Sequence, residues 1–465
     1  MRQTGILLAI SSLPGRYGIG DFDSKKVFSL IRSLKKNHIS HWQILPLAPI
    51  GYGHSPYQPF SSYAIDEVYI DLQDLADRKL INLPKRVKST CKTNFEAAKI
   101  LKDEYIIKAF NKYVKKEENL NALKSFLKAN KEIDEYAEFI SLKEQNNNIS
   151  WNEWSILKVD ENRKLRHGFA QMILLEQWDK IRLFAKKQNI KIIGDVPFYV
   201  GFDSSDVYYH RNYFLLDEKF NPTVVAGVPP DFFSEDGQKW GNPIYNWDVI
   251  EKEDFMFIVK RIEAASKMYD VVRLDHFRAF DSYWAINPAC PNAADGEWRF
   301  PNGYGVFNKV FERNPNIDII AEDLGDLRPE VLVLKNHFKM PGMRILEFSI
   351  WDEMTKGKVF DTDNTVYYTG THDNETLLGW LKTAEEDWLP KREDQHRYLL
   401  NYALNRKEYL VILPAQDVMY LDNSCRMNCP GIIDDFNWTW KLNNYGKFNR
   451  DLLLVKEQID NYGKN

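Results

Sequence analysis

The chain has 465 residues, a net charge of −4 and ordinary shares of hydrophobic (44%) and charged (28%) residues, so it is long enough for one large domain with insertions or for several small ones. That charge lacks the basic footprint of a nucleic-acid binder, and no run of 18 apolar residues offers a membrane span. Four cysteines (Cys91, Cys290, Cys425, Cys429) are too few for a disulfide framework, and the Cys425–Cys429 spacing fits no zinc pattern, which points to a reducing cytoplasm.

The first apolar run, "GILLAISS" from Gly5, has one Arg before it and no small-residue cleavage site; it reads as a strand, not a leader. In "SKKVFSLIRSLKKN", Val27, Leu30, Ile31 and Leu34 follow the i, i+3, i+4, i+7 rule of an amphipathic helix. Strand-like runs then recur: "HWQILPL" from His41, "IKIIGDVP" from Ile190, "VVRLDH" from Val271 and "DIIAEDLG" from Asp318. "MRILEF" from Met343, "TVYYTGTHD" from Thr365 and "YLVILPAQD" from Tyr409 complete eight. Helical patterns separate most of them, including Phe169–Gln188 and Asp254–Tyr269. Strands alternating with helices imply parallel pairing, and eight such units predict a closed (β/α)8 TIM barrel spanning residues 1–465. A doubly wound open sheet is the alternative, but no G-x-G-x-x-G follows the first strand.

Two intervals are too long for plain crossovers. Residues 84–167 are almost free of Gly and Pro and rich in Lys, Glu, Ala and Leu, the composition of an inserted helical subdomain. Residues 199–253 are rich in Gly, Pro, Asp and aromatics and read as long ordered loops over the C-terminal face, where barrel active sites lie. The chain does not run far enough past the eighth strand for a C-terminal β-domain.

Polar residues gather where the strands finish: Asp195, then Arg273 and Asp275, Glu322 and Asp323, His372 and Asp373, Gln416 and Asp417. Buried carboxylates are costly, so such a rim is either a salt-bridge ring or a site. Arg273 and Asp275 are two apart on a strand and share a face. A guanidinium beside Asp275 favours its ionised form, as a glycosidic nucleophile requires. Glu322, in the more apolar "IIAE", has no fixed cation and suits an acid. Two carboxyls on adjacent strands, about 5–5.5 Å apart, fit a retaining covalent mechanism, with Asp373 as a third carboxylate. Asp275-His276 and His372-Asp373 are also types that ligate metals, although the first strand ends in "SSLPG" with no H-x-H pair.

The chain also resembles a known family, the 4-α-glucanotransferases (amylomaltases or disproportionating enzymes, glycoside hydrolase family 77). The motifs run in order from "SSLPGRYGIGDF" and "GYGHSPYQPFSSYA" through "GDVPFYVGFDSSDV", "GVPPDFFSEDGQKWGNPIYNW", "RLDHFRAF", "IIAEDLG" and "YTGTHDNET" to "RMNCPG" and "NWTWKL". The resemblance implies an α-amylase-like barrel with inserted subdomains. It implies Asp275 as nucleophile, Glu322 as general acid/base and Asp373 as transition-state stabiliser. Arg273 would order Asp275, while His276 and His372 would bond glucose hydroxyls. Tyr57 would stack on the donor sugar, Trp240 and Asp231 would line the acceptor side, and Ser55 and Asn428 would add contacts. Donors would be α-1,4-glucans and maltooligosaccharides, with glucose among the acceptors; no cofactor, metal or obligate protein partner is implied. Departures are Ala279, His54, Ser424, Cys425 and Cys429, where the family commonly has other residues. Ala279, Ser424, Cys425 and Cys429 bear on chain-length preference, and His54 matters little. A hydrolase of the same architecture, a metal-dependent hydrolase and a catalytically silent glucan-binding protein remain as rivals.

Overall fold

Eight short strands form one parallel sheet that curls on itself: β1 (Gln3–Leu7), β2 (His41–Gln43), β3 (Lys191–Val196), β4 (Val271–Leu274), β5 (Ile319–Ala321), β6 (Gly342–Ile345), β7 (Thr365–Tyr368) and β8 (Leu410–Pro414). The structure is a computed structural model that describes residues 3–87, 91–230, 235–357, 364–383, 389, 394–432 and 434–462. The pairing order is β6-β7-β8-β1-β2-β3-β4-β5. Its two ends meet, because the Ala321 N–H donates to the Pro341 carbonyl at 2.8 Å just ahead of β6. The fold is therefore the nearly closed barrel expected from the apolar runs, and each strand falls within or beside one of those runs. An open doubly wound sheet would leave its edge strands apart.

Local chemistry explains the alternation. Helix α1 (Ser24–Lys36) starts where the Asp23 side chain accepts the Lys25 N–H, and two lysines close its last turn. Its stripe of Val27, Leu30, Ile31 and Leu34 is fully buried. Each such side chain contributes about 2 kcal/mol of apolar transfer. In β3, Gly194 is forced by proximity: a Cβ there would sit 2.1 Å from the Tyr269 ring. Only glycine lets the strand that carries Asp195 lie this close to its neighbour.

Between β2 and β3 lie α2 (Phe95–Tyr113), α3 (Glu117–Ala129), α4 (Lys131–Gln145) and the long α5 (Glu161–Lys187). A buried ion pair joins this helical region to the segment after β1: Lys102 of α2 meets Asp21 at 2.5 Å, and also donates to the Ile70 carbonyl. The Lys102 side chain is 0% and Asp21 3% exposed, so neither charge has water to fall back on.

The stretch 199–253 is not loops alone. Val225–Val228 and Gln238–Pro243 pair antiparallel, and Tyr283–Ile286 and Gly296–Arg299 extend them to a four-stranded sheet. The sequence hid the first two of these strands because Gly227, Gly241 and Pro243 fall inside them. Glycine and proline weaken a strand signal, and a bulge between Val225 and Gly227 breaks the alternation. Among the described residues, no helix is long and apolar enough to cross a membrane.

Asp21→Ala leaves the Lys102 ammonium buried and unpaired. Urea unfolding should show a loss of about 3–5 kcal/mol, whereas Lys102→Met in the same background should recover much of it.

Candidate active site

Register brings the charged groups together. In the parallel β3–β4 pair, Asp195 lies opposite Arg273. In the β4–β5 pair, Leu274 lies opposite Ala321, so Asp275 and Glu322 each follow one residue later, on adjacent strands at the C-terminal mouth. Their backbones are tied in as well: Asp275 N–H donates to the Val196 carbonyl and Glu322 N–H to the Leu274 carbonyl, both at 3.0 Å.

Arg273 is buried and its Nη1 donates to both Asp195 oxygens (2.6 and 2.8 Å) and to Asp275 Oδ1 (2.9 Å). Tyr57 OH donates to Asp195 Oδ2 at 2.7 Å, and its ring lies nearly flat on His372, with centroids 5.0 Å apart. The Glu322 carboxyl accepts the His276 N–H at 2.7 Å on Oε2 and the Leu324 N–H at 3.2 Å on Oε1. His276 reaches it from a left-handed turn at φ 51°. Such a conformation costs a non-glycine residue about 1–2 kcal/mol and here aims the amide at the carboxyl.

Asp373 sits in the turn after β7. Its Oδ2 is 3.2 Å from His372 Nε2, and its Oδ1 accepts from Asn428 Nδ2 at 2.6 Å. The Arg426 guanidinium binds the Asp373 and Asn428 carbonyls, which pins the loop carrying Asn428 to this turn. Trp240 approaches His276 edge-on at 4.9 Å between centroids, and Tyr199 is 6.2 Å from each. Ser55 acts locally, its Oγ accepting the Tyr57 N–H at 3.3 Å. Asp231 lies outside the described residues.

These environments separate the carboxyls. Burial, then the Asp275 charge, pushes Glu322 up to about 8. Burial also raises Asp275, to about 6, and Arg273 only partly offsets it. This corrects the sequence-based expectation that the guanidinium sets a net lowering: Arg273 is shared with Asp195, whose own charge raises Asp275. The Asp275 side chain is 26% exposed, so water tempers its burial and Glu322 is the upper member of the pair. Burial would lift Asp373 too, but His372 and Asn428 outweigh it and hold the carboxyl at about 2. His276 falls to about 4 through burial and Arg278, so its imidazole is neutral at pH 7.

The other rim carboxylates brace the fold. Asp323 binds Lys335 at 2.8 Å and the Met343 N–H at 2.6 Å. Asp417 binds Thr369 Oγ1 at 2.6 Å and the Leu377 N–H at 2.8 Å. The rim is thus part brace and part site. Among the described residues, no group of three or more His, Cys, Asp or Glu side chains is placed to hold a metal ion.

One neighbour escaped the sequence reading. Trp438, at φ 65° and 7% exposed, tilts against both Tyr57 and His372 at 5.7 Å. Its only signal was the aromatic pair in "NWTWKL", and a ring in sequence does not reveal what it packs on.

With this geometry in place, comparisons with known proteins converge. The family model described as 4-alpha-glucanotransferase matches residues 8–446. The chain belongs to the 4-alpha-glucanotransferase family. It is 37% identical to the 4-alpha-glucanotransferase of Thermus thermophilus over 475 residues, 95% of each chain. It is 34% identical to that of Aquifex aeolicus across 100% of both. An amylomaltase of Streptococcus agalactiae, solved in complex with acarbose, superposes with a TM-score of 0.93 at 31% identity over 100% of both chains. An α-amylase of Geobacillus thermoleovorans, at 10% identity and a TM-score of 0.51 over 98% of this chain and 78% of that one, shares the fold alone. The family makes this chain an enzyme, and the silent binding protein falls away.

Asp195→Asn removes the charge that competes for Arg273 and raises Asp275. The acidic limb of glucan transfer, followed as kcat/KM against pH, should move to lower pH; a limb that stays or rises would refute the sharing of Arg273.

Proposed function

We propose that this 4-α-glucanotransferase moves a segment of an α-1,4-glucan onto the 4-hydroxyl of glucose or a maltooligosaccharide, with retention, through a glucosyl ester on Asp275. The observation that carries this reading is the placement of the two carboxyls: Asp275 and Glu322 end adjacent strands, Asp275 is bonded to Arg273 while the Glu322 carboxyl, among the described residues, accepts only backbone N–H groups, and burial with the Asp275 charge pushes Glu322 up further than Asp275. A protonated acid and an ionised nucleophile therefore coexist near neutrality.

In the first step, Asp275 attacks the anomeric carbon and the glycosidic bond breaks. Its electron pair goes to the leaving 4-oxygen, which takes the Glu322 proton. In the second, the Glu322 carboxylate takes the proton of an acceptor 4-hydroxyl as that oxygen attacks the same carbon and the ester releases Asp275. Asp373, ionised throughout, stabilises the positive charge that builds on the sugar ring and bonds its hydroxyls. Neutral His276 holds further hydroxyls, as does His372, whose protonated form the neighbouring Asp373 carboxylate favours. Tyr57, held by Asp195 and by the His372 ring, stacks on the donor sugar. Trp240 and Asp231 line the acceptor side, with Ser55 and Asn428 in supporting contacts. Water would give hydrolysis in place of transfer, so the segment 199–253 acts as a cover that favours a sugar acceptor. We treat residues 84–167 as an inserted helical subdomain of the one catalytic barrel, and the free cysteines suit a cytoplasmic enzyme.

Incubation with maltotriose in the presence of chelator, with products resolved by chain length, tests the reading. A ladder of longer maltooligosaccharides plus glucose, at constant total reducing ends, is expected. Rising reducing ends with only shorter products would make it a hydrolase, and loss of turnover with chelator would make it metal-dependent. Asp275→Asn should lower kcat by roughly 10^4-fold or more.

A second expectation is a bell-shaped kcat/KM profile. It should rise through about 6 as Asp275 ionises and fall through about 8 as Glu322 loses its proton, the two values belonging to the pair. A profile flat from pH 5 to 9 would remove this assignment.

A further inference from the structure

Glu347 is a carboxyl that the mechanism above does not use. It follows β6 in the first turn of the helix Leu346–Thr355, at the same mouth of the barrel as the catalytic carboxyls. Its Oε2 accepts the Asn374 amide at 3.0 Å. Its Oε1 is buried and has no hydrogen-bond partner among the described residues.

Asn374 is the keystone of the turn that presents His372 and Asp373. Its Oδ1 accepts the Thr371 N–H at 2.9 Å and the Thr371 hydroxyl at 2.8 Å, and that hydroxyl in turn accepts the Asp373 N–H at 3.2 Å. With its oxygen committed to Thr371, Asn374 has a fixed amide orientation, and the nitrogen must find an acceptor beneath the turn. Glu347 Oε2 is that acceptor. The floor is tight: a Cβ on Gly370 would sit 3.3 Å from Asn374 Cβ and 3.7 Å from Glu347 Oε1.

We propose that Glu347 is a positioning residue for Asp373: by receiving the Asn374 amide it fixes the Thr371–Asn374 turn that aims the stabilising carboxylate at the sugar. The proposal rests on the role given to Asp373 above. Glu347 does this as a neutral acid. Burial comes first among the causes, followed by the Asp417 charge, with Glu375 adding to it; Asn374 and Arg426 oppose, and the carboxyl stands at about 8. A buried, unpartnered oxygen is far less costly on a neutral carboxyl than on a carboxylate. The charge state then serves the geometry. A neutral acid offers Asn374 one carbonyl oxygen without placing a second full negative charge under the Asp373 turn.

The sign of the pH effect on stability follows. Below the ordinary 4.5 the carboxyl is protonated whether the chain is folded or not. Above it the unfolded chain releases a proton that the folded chain keeps up to about 8, so stability falls as pH rises across that window. Glutamine keeps the acceptor and the shape but cannot ionise.

The test uses the full-length enzyme with Glu347→Gln, Glu347→Ala, Asp373→Asn and the double variant Glu347→Ala/Asp373→Asn. Glu347→Gln should keep kcat within about threefold and flatten the fall in urea midpoint between pH 5 and 8. Glu347→Ala should lower kcat about 10- to 100-fold, the scale of a misplaced catalytic group, with KM changed far less. The double variant should be no slower than Asp373→Asn alone. Glu347→Gln as slow as Glu347→Ala, Glu347→Ala at wild-type kcat, or additive losses in the double variant would each overturn the proposal. Asp373→Asn at wild-type kcat would instead bring down the reading of Asp373 on which it rests.

Discussion

One guanidinium holds the site together. Arg273 is buried in β4 and divides its donors between Asp195 on the neighbouring strand and Asp275 on its own. Two carboxylates beside one fixed cation in a low-dielectric rim set the charge of everything near them. Asp195 consumes most of the cation and in doing so also orders Tyr57. Asp275 is left with a share that orients it and only partly offsets the burial that lifts it. Burial and then the Asp275 charge keep the proton on Glu322. The division of labour proposed for acid and nucleophile therefore begins at a residue that does neither job.

The strand-level logic of this arrangement was legible from residue spacing. The i, i+2 placement of Arg273 and Asp275, and the polar residue closing each apolar run, follow from period-2 geometry and from the cost of burying charge. The eight runs gave the barrel because its strands are buried on both faces and read as unbroken apolar segments, β8 with every residue buried among them. The four-stranded sheet was not legible: two of its strands carry Gly227, Gly241 and Pro243 in a segment whose composition mimics loops, and the other two are four-residue strands beyond it.

The site showed the same boundary. Which carboxylates brace the fold and which face the mouth could not be told from sequence, since Asp323 and Asp373 look alike there. Their partners differ, a lysine and a backbone amide for the first, an imidazole and an amide side chain for the second, and all but one of those partners are distant in the chain. The net direction of the Asp275 shift was also out of reach, because it depends first on how deeply the carboxyl is buried and then on how Asp195 shares Arg273. The resemblance to 4-alpha-glucanotransferases supplied residue roles that spacing alone left open between a glycosidase-like pair and metal ligands.

The closure of the barrel has a mechanical consequence. β5 is laddered to β4 along its length, while on its other side two bonds among the described residues, the Ala321 N–H to the Pro341 carbonyl and the Met343 N–H to the Asp323 carboxyl, span the gap to β6. The denser tie is therefore the one between β5 and β4. Glu322, at the end of β5, is fixed to β4 and so to Asp275 by that ladder and by its own N–H bond to the Leu274 carbonyl. The two carboxyls proposed as acid and nucleophile thus share one continuous ladder, and the looser seam of the barrel lies outside the pair.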